Sequence, residues 1–129
     1  MKDNIINEYH LIIKNEISQL RFDSAIGSIA KLLAYSPSDD MGYYYLGVCY
    51  FAQEKYFDAL KSYATAIKIN PAHVRAYFNL GICYYLENKY DAALINFGKS
   101  LIIFTKTKEI NERQRCIDAI NLIEVQRGV

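Results

Sequence analysis

Three cysteines, two histidines and one pair of adjacent aspartates are the residues here whose types invite chemistry. Cys49, Cys83 and Cys116 suggest metal ligation or disulfide formation. Their count is odd and no C-x-x-C occurs, so neither a zinc site nor a disulfide framework is expected. His10 and His73 are isolated in the sequence and read as surface or half-buried residues rather than ligands. Asp39-Asp40 reads as a helix start, where carboxylates face exposed backbone N–H groups, rather than as a catalytic dyad. No glycine-rich phosphate loop, H-E-x-x-H or G-x-S-x-G is present. The sequence therefore predicts no catalytic residue, no metal and no cofactor, and an enzyme has no polar cluster to support it.

The other conspicuous residue class is aromatic. Twelve tyrosines and six phenylalanines occur in 129 residues, and recognition through apolar contact is the chemistry they suit. The composition, 52% apolar and 22% charged, is that of a chain that folds. Its length fits one domain. A net charge of +1, with lysines and arginines scattered, predicts no nucleic-acid partner. The first residues, Met1 to Glu8, lack the unbroken apolar run of a signal peptide. The uncharged stretch from Met41 to Ala52 falls short of the roughly 18 apolar residues that span a bilayer. These features predict a soluble cytoplasmic protein with no direct membrane insertion.

The aromatics are ordered by an internal repeat. Tyr43-Tyr44-Tyr45-Leu46-Gly47-Val48-Cys49-Tyr50 recurs 34 positions later as Tyr77-Phe78-Asn79-Leu80-Gly81-Ile82-Cys83-Tyr84. An aromatic, two spacers, an alanine and an aliphatic recur at the same interval, in Phe22–Ile26, Tyr56–Leu60 and Tyr90–Leu94. Pro37 and Pro71 share it. Within the repeats, apolar residues step by three and four, as in Ile5, Tyr9, Ile12, Ile13, Ile17 and Leu20, the pattern of an amphipathic helix. Gly47 and Gly81 fall inside helices, where glycine costs about 1 kcal/mol against alanine, so a close helix crossing is expected at each. Ala59 and Ala93 fit the opposite side of those crossings, and Cys49 and Cys83 share one repeat position that suits a small packing residue.

This pattern resembles the tetratricopeptide repeat (TPR), whose signature is aromatic-x2-Leu-Gly-x2-Tyr, then Ala-x3-aromatic, then Pro. The second repeat carries it at Tyr43, Leu46, Gly47, Tyr50, Ala59, Tyr63, Ala66 and Pro71, and the third at Tyr77, Leu80, Gly81, Tyr84, Ala93 and Phe97. The first keeps Tyr9, Phe22, Ala25 and Pro37 but has Ile13 at the glycine position. The resemblance implies an all-α fold. Three antiparallel helix pairs (about 6–39, 40–73 and 74–106) would form a right-handed superhelix. A capping helix over about 107–127, with Ile110, Ile117, Ile120 and Ile123 as its apolar stripe, would complete a single domain.

In such arrays the first helix of each pair lines a concave groove. The resemblance places Lys14 there from the first repeat; Met41, Tyr44, Tyr45, Val48 and Phe51 from the second; and Arg75, Phe78, Asn79, Ile82, Tyr85 and Leu86 from the third. Tyr43, Tyr50, Tyr77 and Tyr84 take packing positions and are expected in the core. An aromatic row of this size exceeds what a protein leaves wet, so the groove is expected to hold an apolar segment of a partner protein. Cover by the N-terminal segment, or burial in a homodimer, are the alternatives. Co-chaperones that grip acidic C-termini use a clamp whose positions here are His10, Lys14, Tyr45, Arg75 and Asn79. Only Arg75 keeps the clamp's cationic character in place, so an apolar ligand is expected rather than an acidic tail.

Within the TPR family the chain is similar to the small translocator chaperones of bacterial type III secretion, through Gly47-Val48-Cys49, Gly81-Ile82-Cys83-Tyr84-Tyr85-Leu86 and the charged last helix. That resemblance implies cytoplasmic sequestration of a secreted pore-forming translocator. A TPR adaptor within a larger assembly is the competing reading.

Overall fold

Apolar residues at helical spacing, punctuated by proline and by residues in the left-handed region, break the chain into seven helices. They are seen in a computed structural model that describes residues 2–128. The helices are α1 (Lys2–Ser18), α2 (Phe22–Tyr35), α3 (Asp40–Ala52), α4 (Tyr56–Ile69), α5 (Val74–Leu86), α6 (Tyr90–Thr107) and α7 (Ile110–Gln126). No strand occurs among the described residues. The helices fall into two compact units, Met1–Pro71 with α1 to α4 and Ala72–Val129 with α5 to α7.

The turn inside each helix pair is built the same way. Leu20, Glu54 and Asn88 have φ near +60°, and the next residue donates its N–H back to the helix just ended: Arg21 to Glu16, Lys55 to Tyr50 and Lys89 to Tyr84, each at 2.9 Å. The left-handed residue thus lets the backbone satisfy its own terminal carbonyls. Asp39 and His73 open α3 and α5 from one repeat position. An Asp39 carboxylate oxygen accepts from the Gly42 N–H at 2.8 Å, and Nδ1 of His73 accepts from the Ala76 N–H at 3.3 Å. Asp39 thus caps α3 as its place before the helix suggested, and Asp40 accepts from the Asn70 amide at 3.0 Å. His73 departs from its expected place at or near the surface. It is 6% exposed, because an imidazole that caps a helix is drawn under the first turn.

The helix pairs are held by small residues opposite large ones. Gly47 faces the ring of Tyr63, and Gly81 faces Phe97. Ala25, Ala59 and Ala93, one per second helix, are fully buried, as are Cys49 and Cys83. The first pair solves the crossing differently. Ile13 stands at the glycine position, Ile29 stands where Tyr63 and Phe97 stand in the later pairs, and both are buried in one core cluster. Beside them Glu16 of α1 accepts hydrogen bonds from the hydroxyls of Ser24 and Ser28 on α2, which satisfies a carboxylate that is otherwise buried.

The closing helix starts later than the sequence suggested. Pro37 and Pro71 follow the ends of α2 and α4 by two residues, whereas Thr105 stands at the corresponding place in the third pair. Without a proline to block it, α6 continues to Thr107, turns at Lys108 with φ 60°, and α7 begins at Ile110. It packs on α6 through Ile123 and Ala119, beside Ala93 and Phe97.

Candidate partner-binding faces

In the first unit the residues expected to meet a partner rise from α3, with Lys14 contributed by α1. Met41 and Tyr44 pack on the cluster formed by Ile13, Ala25, Ile29, Leu32, Tyr45 and Cys49. The Tyr44 ring lies 6.0 Å from that of Tyr63 and 5.7 Å from that of Tyr45. Phe51, one helix end away, meets the Tyr56 ring edge-on at 5.2 Å. Met41, Tyr44, Val48 and Phe51 are half-buried and Lys14 is exposed.

Tyr45 differs from the expectation of an open aromatic. It is 8% exposed and belongs to the core of this unit. Helix α1 causes this: the His10 ring stands edge-on to Tyr45 at 5.9 Å, and is itself fixed by Asp39, with Nε2 at 3.0 Å from one carboxylate oxygen and 3.1 Å from the other. Burial raises the Tyr45 phenol pKa above its ordinary value, with the neighbouring Tyr44 and Asp39 adding to the effect. Tyr43 and Tyr50, expected in the core, are half-buried, so the division of the three consecutive tyrosines is the reverse of the expected one at positions 43 and 45.

The second unit repeats the arrangement from α5. The Phe78 ring meets that of Phe97 edge-on at 5.2 Å, and the Tyr85 ring lies 5.9 Å from that of Tyr90. These contacts stand 34 positions after Tyr44–Tyr63 and Phe51–Tyr56. Phe78, Ile82 and Tyr85 are half-buried against the cluster of Ala93, Phe97 and Ile123, so α7 takes up part of the surface that α5 would otherwise leave open. Asn79 is half-buried, Arg75 is exposed, and Leu86 is 48% exposed. Tyr77 is buried as expected, and Tyr84 is half-buried.

One contributor was not singled out from the sequence. The Arg115 guanidinium of α7 sits 5.1 Å from the centre of the Phe78 ring. The signal was present: Arg115, Ala119 and Ile123 step by four and share one helix face.

The cysteines are buried thiols. Burial pushes the pKa of Cys49 up to about 11, with Glu16 adding to it. It takes Cys83 to about 12, where Glu87 reinforces the effect, and Cys116 to about 11 against the opposing charge of Arg115. Thiols so disfavoured as thiolates are poor nucleophiles and poor metal ligands. Among the described residues no three metal-ligating side chains come together, and no helix is long and apolar enough to cross a membrane.

A family model described as TPR repeat matches residues 47–87. No curated protein matches the sequence. Among solved structures, the chain is similar to the Yersinia enterocolitica type III secretion chaperone SycD in complex with a peptide of the translocator YopD. The TM-score is 0.87 at 16% identity, covering 96% of this chain and 95% of SycD. It is also similar to Pseudomonas aeruginosa PcrH in complex with the chaperone binding region of PopD, with a TM-score of 0.89 at 16% identity and coverage of 98% and 96%. The TPR2B domain of yeast Sti1, solved as a complex with pHsp70, gives 0.86 at 16% identity, with 94% and 97% covered. Residues 47–87 thus match the TPR repeat, and the chain as a whole, with its pairs of antiparallel helices, has the fold of these TPR structures.

Proposed function

We propose that the chain binds an apolar segment of a partner protein through the first-helix faces of its repeats, as a cytoplasmic chaperone of a type III secretion translocator. The observation that carries this is the repeated aromatic pairing. Tyr44 and Phe51 in one unit, and Phe78 and Tyr85 in the other, each stand on a second aromatic ring and keep part of their own surface open. Rings held in place this way lose little freedom on binding, which makes them good anchors. The candidate contacts are Met41, Tyr44, Val48 and Phe51 in the first unit and Phe78, Asn79, Ile82, Tyr85 and Leu86 in the second. Lys14 and Arg75 lie at the edges, and Tyr45 acts as a supporting wall. The complexes of SycD with a YopD peptide and of PcrH with a region of PopD support a peptide-like ligand. No catalytic step belongs to this function.

An adaptor that stays in a finished assembly is the second reading, favoured by the equal likeness to a Sti1 domain. Co-purification at native expression level, with partners identified by mass spectrometry, separates the two. A near-stoichiometric partner with long apolar segments, lost once that partner is secreted, supports the chaperone. A stable set of machine subunits without such a partner supports the adaptor.

A further inference from the structure

The second unit carries two guanidinium groups beside its apolar row. Arg75 lies one turn before Phe78 and Asn79 on α5 and is exposed. Arg115 reaches Phe78 from α7, with its guanidinium 5.1 Å from the ring centre. Among the described residues neither arginine is ion-paired. Elsewhere in the unit Glu87 pairs with Lys89 at 3.2 Å and Asp91 with Arg127 at 2.9 Å, and on α7 Asp118, three residues after Arg115, accepts from Gln114 at 2.9 Å. Glu112, three residues before it, forms no ion pair with it.

A guanidinium held over a ring face by cation–π attraction still has N–H donors to offer an acceptor. Arg115 therefore joins an apolar anchor point and a charge-assisted donor in one place. The geometry points to a partner segment that sets an acidic side chain beside its apolar anchor: the anchor lies against Phe78 and Ile82, and the carboxylate meets Arg115, with Arg75 adding positive potential from α5. This rests on the apolar-segment function proposed above and adds to it the charge of the ligand. It is not the grip of a chain-terminal carboxylate, for which the paired donors are missing. The acid is internal to the segment and its position relative to the anchor is what Arg115 selects.

The test uses fluorescence anisotropy on the whole chain with synthetic peptides that carry a pair of leucines in an alanine–serine background and Glu, Gln or Lys beside one leucine. The Glu peptide is expected to bind about fivefold tighter than the Gln peptide, with the Lys peptide weakest, and added salt should erode the preference. Arg115→Gln should bring the ratio of Glu-peptide to Gln-peptide affinity close to one, whatever it does to the affinity for either alone, and Arg115→Lys should keep part of the preference. Helical circular dichroism checks that each variant is folded. Equal binding of Glu and Gln peptides, or a preference untouched by Arg115→Gln, overturns the acidic-partner inference and leaves the apolar function standing. Binding unaffected by Phe78→Ala places the segment away from Arg115 and overturns the inference alone, and failure of every leucine peptide to bind overturns both.

Discussion

Gly47 and Tyr63 occupy one site: a Cβ built on the glycine would lie 2.5 Å from Cε1 of the tyrosine ring. Gly81 and Phe97 repeat the relationship at 2.8 Å. At such a distance either the buried ring or the helices must shift to admit a side chain. Gly81→Leu should therefore disrupt the α5–α6 pair. Gly47→Ala should cost about 1–3 kcal/mol of stability even though alanine is the better helix former by about 1 kcal/mol. Urea denaturation measures both. A Gly47→Ala variant as stable as the parent shows that the crossing is looser than described. Tyr63→Leu combined with Gly47→Ala should recover part of the loss, since the ring is what the methyl meets.

Leu20 holds φ at 60° with its side chain 74% exposed. A leucine in the left-handed region costs roughly 1–2 kcal/mol, and here no buried contact offsets it. Asn88 does the same task in the third pair with a residue suited to it. Leu20→Asn is thus expected to stabilise the chain by about 0.5–1 kcal/mol, visible as a higher urea midpoint with an unchanged slope. An unchanged or lower midpoint would show that Leu20 is covered by something in solution.

Much of the array was legible because its rules are local and repeat. Glycine opposite an aromatic ring, alanine at the crossing and proline after the second helix each restate one packing constraint every 34 residues, so one misread position is corrected by the next repeat. Where the third repeat lacks its proline, the same logic explains why α6 runs on to Thr107. Burial of Tyr45 was not legible. Tyr43, Tyr44 and Tyr45 are one residue type in three consecutive positions, and what separates them is the approach of His10 from another helix, 35 residues earlier in the chain. The capping role of His73 was hidden similarly, because the repeat offers aspartate at that position and imidazole replaces it. For Arg115 the α7 pattern shows only that it shares a face with Ala119 and Ile123; that Phe78 stands opposite depends on a different helix.

The three buried thiols give the chain an alkaline limit. Their folded pKa values, about 11 for Cys49 and Cys116 and about 12 for Cys83, lie above the roughly 8.5 of an exposed thiol. Below that pH the thiols are neutral in both states and their full contribution to stability is present. Above it the unfolded chain ionises while the folded one does not, and stability falls until pH passes the folded values. Between pH 8 and 9.5, before most tyrosines titrate, the loss should total about 2–4 kcal/mol. A variant with Cys49, Cys83 and Cys116 all replaced by Ala starts from lower stability but should be nearly flat in this window. Parallel pH slopes for the parent and the variant would remove the thiols as the cause.

Tyr44 and Phe78 stand at one repeat position and each rests on the aromatic that faces the glycine crossing, Tyr63 or Phe97. Removing the outer ring leaves the inner one in place, so the helix pair should survive while the contact surface is lost. Tyr44→Ala and Phe78→Ala are each expected to weaken partner binding by about 1–4 kcal/mol, the range of anchor residues in interfaces. Circular dichroism should show little change in helix content, and titration calorimetry with the co-purified partner measures the affinity. Because both rings are half-buried, some stability is lost too, and binding must be compared at a temperature where each variant is fully folded. Phe51→Ala and Tyr85→Ala, at the ends of the same helices, provide a graded control. If all four variants bind as the parent does, the partner uses another surface. If only one unit's pair responds, the segment is held by that unit alone, and the aromatic row of the other is there for packing.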